Sequence, residues 1–133
     1  MPSIDQLKLL VNLAYADGEI GEKEKKYIIN IGQANHFLVA EILPLLSGKH
    51  RVTGLTELSQ DEKFDYMFHL VQLMKIDEKI YKDEIKYCAK VAAGLGYRAD
   101  LVLELLLSVK NLNMEKDELA ELKKLTATYL RKS

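Results

Sequence analysis

LVNLAYADGEI, residues 10–20, and LVQLMKIDEKI, residues 70–80, are one phrase written twice. The offset is sixty residues, and the pairs Leu10/Leu70, Val11/Val71, Leu13/Leu73, Asp17/Asp77 and Ile20/Ile80 are identical. The match runs on through Glu24/Glu84, Lys26/Lys86 and Tyr27/Tyr87, so eight identities fall in one ungapped window of eighteen, residues 10–27. Apolar residues in each copy recur at three- and four-residue spacing before the acid, and a second such stretch opens after the isoleucine. This reads as a duplicated helix-turn-helix unit, which predicts two similar hairpins about an approximate two-fold axis.

The rest of the chain extends that pattern. A first helix is expected from about Ile4 to Ala16, closed by the glycines of Asp17-Gly18-Glu19-Ile20-Gly21, and a second opens at the charged run EKEKK. A third covers Phe37 to Leu46, kinked or interrupted at Pro44, which lacks an amide donor. Residues 47–58 read as the longest connection. Ser59-Gln60-Asp61-Glu62 is a capping box that starts a fourth helix, running to about Lys75. The fifth runs from about Lys82 to Leu95, ended by Gly94 and Gly96, the sixth from Ala99 to Lys110, and the seventh from Met114, behind a cap at Asn113, to about Arg131. The expected architecture is an all-α, single-domain bundle of about seven helices. Repeat one covers about 4–46, repeat two about 60–110, and a C-terminal helix about 114–131. No stretch reads as a strand.

Helix-wheel arithmetic places apolar side chains over more than half the girth of the fourth helix, leaving Asp65, His69, Gln72 and Lys75 on a narrow polar strip. The sixth is similar, with a strip only at Glu104 and Ser108. Enclosure by neighbouring helices is the expectation for both. An oligomer contact through Leu103, Leu106 and Leu107 is the alternative for the sixth.

Asp17-Gly18-Glu19-Ile20-Gly21-Glu22-Lys23-Glu24 copies the second half of a calcium loop. The acids required two and four residues earlier are replaced by Tyr15 and Leu13, so too few oxygens remain for an EF-hand. The second copy loses the glycine and gains Lys79. At most a weakly held divalent cation fits Asp17, Glu24, Asp77 and Glu84. The structural reading explains more: Glu24 accepts from the amide of an N-cap at Gly21, Glu84 does the same after Tyr81, Asp17 and Asp77 bond to turn amides, and Ile20 and Ile80 pin the turns.

The pattern Ala14-Tyr15-Ala16-Asp17-Gly18-Glu19-Ile20, continued to Glu24 and echoed at Asp77, Ile80 and Glu84, resembles the TerB-type tellurite-resistance family, whose related domains occur in DnaJ-like co-chaperones. The resemblance covers about residues 4 to 110. It implies an all-α pseudo-two-fold domain in bacterial stress response, without known enzymatic activity, whose acidic clusters bind metal or partners. The second copy lacks the Asp-Gly pair, and neither a J domain nor a membrane anchor is read in this chain.

Other chemistry finds little support in the residues. His36, His50 and His69 lack zinc-ligand spacing, and no phosphate loop, dinucleotide fingerprint or nucleophile elbow occurs. His69 is expected at the surface, and Cys88, on a stripe with Ile85 and Ala92, as a buried inert thiol. The 133 residues suffice for one domain, with 48% hydrophobic and 29% charged. Nineteen basic against twenty acidic residues argue against a nucleic-acid or anionic-lipid footprint. A lone cysteine suits a reducing compartment, and MPSIDQLKLL offers neither the cationic nor the apolar segment of a signal peptide. The expectation is a cytoplasmic, non-enzymatic module without a cofactor, binding a protein partner or a second copy of itself through the acidic turns or the sixth helix.

Overall fold

The computed structural model describes residues 4–16, 20–52, 55–76, 82–109 and 114–130. Seven α-helices occupy them: α1 (Ile4–Ala14), α2 (Glu22–Ala34), α3 (Val39–Ile42), α4 (Gln60–Met74), α5 (Lys82–Leu95), α6 (Leu101–Ser108) and α7 (Lys116–Ala127). Two 3-10 turns, Leu43–Ser47 and Leu55–Glu57, complete the helical structure. Among the described residues the extended backbone amounts to one isolated bridge, Tyr97 with Leu130, so the fold class is all-α.

A local rule starts most of these helices. A glutamate at the third helical position reaches back to the amide of the residue before the helix, satisfying a donor that has no intrahelical partner. Gly21 donates to Glu24 at 2.9 Å, Leu38 to Glu41 at 2.9 Å, Ser59 to Glu62 at 3.2 Å and Glu115 to Glu118 at 3.1 Å. The Ser59 box is closed from both sides, the Glu62 amide donating to Ser59 Oγ at 3.2 Å. Hydrogen bonds from the Ser59 amide and hydroxyl hold the Glu62 carboxyl below its ordinary range. The seventh helix is thus capped at Glu115, and Asn113 lies outside the described residues.

Helix ends are equally local. After α2 the His36 amide donates to Gln33 O at 3.0 Å and the Phe37 amide to Gly32 O at 2.9 Å. After α5 the Gly96 amide donates to Ala93 O at 3.1 Å and the Tyr97 amide to Ala92 O at 2.9 Å. The two stops are one Schellman-type motif at a sixty-residue offset, and its left-handed position holds His36 at φ 70° and Gly96 at φ 96°. Gly94 lies inside α5, not at its end, because Gly96 alone supplies the reversal. Pro44 does end the third helix, which is α-helical only over Val39–Ile42 and tightens to 3-10 from Leu43. The sixth and seventh helices are shorter than expected at both ends.

The core sits where α1 and α4 pack together, with α2 against α1 and both α5 and α6 against α4. Leu7, Leu10, Val11 and Leu13 of α1 are buried, and so are their counterparts sixty residues on, Met67, Leu70, Val71 and Leu73 of α4. Each such side chain contributes roughly 1.5–3 kcal/mol by leaving water. Where α2 meets α3, a Cβ on Gly32 would stand 2.5 Å from Ile42 Cδ1, so a larger residue there would force the buried Ile42 side chain aside. Beside the Tyr97–Leu130 bridge, Arg98 lies 4.8 Å over the Tyr129 ring, and Lys123 of α7 pairs with Asp61 at the start of α4. Among the described residues no helix is long and apolar enough to cross a membrane.

Candidate ligand cleft and partner surface

Of the four acidic positions singled out, Asp17 and Asp77 lie outside the described residues, as does Tyr81. Glu24 and Glu84 are both buried, at 6% and 5% exposure, in the first turns of α2 and α5. The Glu24 carboxylate takes the Gly21 amide, the capping role its spacing predicts. Among the described residues no group of three histidine, cysteine or acidic side chains gathers around a point that could hold a metal.

Cys88 is fully buried, and burial pushes its thiol far up, with the Glu84 charge adding to the rise. His69 departs from its expected surface position. Its Nδ1 lies 3.0 Å from Gln6 Nε2 and 2.8 Å from the Asp65 carbonyl, and Gln6 donates to Asp65 Oδ2 at 2.9 Å. Burial raises the Asp65 carboxyl, but hydrogen bonds from His69 and Gln6 and the electrostatic pull of the His69 ring outweigh it and hold the group low. The helix wheel placed His69 on the polar strip correctly; it could not show that α1 would cover that strip with Gln6.

The sixth helix is enclosed on one side only. Leu101, Val102 and Leu105 are buried and Leu106 is half-buried, while Leu103 is 59% and Leu107 84% exposed. The expected enclosure therefore fails for half of α6, because α4 and α5 cover one face and no described element covers the other. At the end of α6, Ser108 borders an open groove of about 540 Å³ formed with Met114 and the α7 residues Glu118, Glu121, Leu122 and Leu125. Its floor is apolar and its rim acidic. Lys75, the C-cap of α4, holds the end of α6, its ammonium donating to Leu106 O at 2.8 Å and Val109 O at 2.5 Å.

A second concavity had no signal in the sequence. Asn12 of α1 clasps the backbone of His50, its Nδ2 donating to His50 O and its Oδ1 accepting from His50 N, both at 2.7 Å. Leu45 O lies 2.7 Å from His50 Nε2, which donates because a carbonyl only accepts. Held this way, residues 49–52 and Leu55 face α5 across two adjoining lobes of about 400 and 470 Å³. Asn12, His50, Tyr87 and Lys90 line both. Burial pushes the Tyr87 hydroxyl up, against a hydrogen bond with Asn12. Comparison with protein families, with curated proteins and with solved structures finds no match to this chain.

Proposed function

We propose that this chain is a non-catalytic, TerB-like helical interaction module, acting in stress response through the open side of α6. The observation that carries the reading is the exposure of Leu103 and Leu107 on a helix whose remaining leucines are wholly or partly buried. Such a face gains free energy when a partner covers it. The partner chemistry follows from charge: Glu104 sits one turn before Ser108, and Glu118 and Glu121 rim the adjoining apolar groove. An amphipathic segment with leucines beside lysines or arginines complements both features. The sixty-residue pattern supports the TerB likeness, and we attribute it to duplication of one hairpin.

Fluorescence anisotropy with a labelled leucine/lysine helical peptide tests this reading. Binding by the native chain, lost in Leu103→Glu/Leu107→Glu and absent for a leucine/glutamate peptide, is the expected result. Equal binding of both peptides, or binding that survives the double substitution, overturns it. Sedimentation velocity over a concentration series separates the alternative occupant, a second copy: association that the same substitutions abolish replaces the peptide partner with self-assembly.

A further inference from the structure

We propose that the cleft between α1, residues 49–52 with Leu55, and α5 binds a small organic anion that carries an apolar body. The proposal is independent of the α6 surface. One lobe is apolar at its base, where Leu9 and Val91 are buried and Val52 and Leu55 half-buried. Gly94 completes that base: a Cβ there would stand 3.3 Å from Leu55 Cδ1, so the missing side chain leaves the lobe open. The adjoining lobe is ringed by Lys49, Lys86 and Lys90, with Arg51 at the mouth of the first.

Four cations thus face one lining carboxylate, Asp83, in a protein whose net charge is −1. Among the described residues none of the four pairs with an acid. Lys86 and Lys90 stand at i and i+4 on one face of α5, a spacing at which like charges repel. Lys49 and Arg51 flank the residue that Asn12 clasps, so the backbone that carries them is held opposite that face. A bound anion relieves this repulsion, and its apolar part fills the inner lobe. The lobes are of the size that takes small molecules. Asn12 and Tyr87, at the junction of the lobes, offer the polar groups that would orient the head.

Titration calorimetry with octanoate, octyl phosphate and octan-1-ol, with amide chemical shifts to locate the site, tests the proposal on the full chain. The expected result is saturable binding of the anions with Kd of about 0.1–1 mM, shifts at Asn12, His50, Val52 and Lys90, and octan-1-ol bound about tenfold more weakly. A tighter octyl phosphate assigns a phosphate ligand, and a tighter octanoate a carboxylate. Lys86→Glu/Lys90→Glu should weaken the anions about tenfold with helicity unchanged. Lys86→Gln/Lys90→Gln, which adds no acid, should give a smaller loss and covers the case in which the reversal fails to fold. Octan-1-ol bound as tightly as octanoate, shifts confined to other surfaces, no saturation below about 10 mM, or undiminished affinity in the glutamine pair overturns the proposal.

Discussion

The Tyr27 hydroxyl donates to Gln72 Oε1 at 2.7 Å, joining α2 to α4 across forty-five residues. Tyr87 of α5, sixty residues after Tyr27, and Asn12 of α1, sixty before Gln72, stand together at the corresponding crossing. The crossings differ in surroundings. Burial, then the Asp65 charge, pushes the Tyr27 hydroxyl strongly up, whereas Asn12 also carries the His50 backbone. Tyr27→Phe should cost about 1 kcal/mol, and Asn12→Ala about 2–3 kcal/mol because it strands a backbone donor and an acceptor together. Urea midpoints at unchanged m-value are the measurement, and equal losses would contradict the clasp.

Glu24 serves the start of α2 in this structure. Glu24→Gln keeps a hydrogen-bond acceptor but loses the charge facing the helix dipole, and should cost about 0.5–1 kcal/mol; Glu24→Ala should cost about 1–2 kcal/mol. Both losses should be the same in chelator and in millimolar calcium. A loss that appears only with calcium present would restore the metal reading of the acidic turns.

His36 occupies a left-handed position that its counterpart Gly96 fills without strain. Replacing His36 with glycine removes the steric penalty of a Cβ there, partly offset by a more flexible unfolded chain. The net expectation is a gain of up to about 1 kcal/mol, read as a higher melting temperature. Gly96→His should lose a similar amount or more.

Asp65 supplies the pH dependence. Its folded carboxyl is held below the unfolded value, so unfolding takes up a proton and stability falls as the solution is acidified. The contribution is complete above the ordinary carboxylate range and disappears as pH drops through the lower folded value. Asp65→Asn should therefore flatten the decline in urea midpoint between about pH 5 and pH 3.

What the sequence made legible was local. Ser59 and Glu62, Gly21 and Glu24, and Pro44 act through neighbours within four residues, and α5 starts and stops at Lys82 and Leu95 as its pattern predicts. The cleft was not legible because Asn12, Arg51 and Lys90 are brought together only by tertiary packing, and each alone reads as a solvated residue. Leu103 and Leu107 show the converse limit: a helix wheel measures the width of an apolar face without showing how much of it α4 and α5 cover.

Lys75 gives the α6 surface a mechanical link to the centre of the domain. An eight-residue helix is marginal by itself, and the Lys75 ammonium at the end of α4 tethers its trailing end. A load applied to Leu107 is therefore passed to the last turn of α4, whose Met74 lies buried in the core next to that lysine. Neutralising that one side chain would slacken the tether and let α6 swing, while α1 and α4 beneath stayed packed.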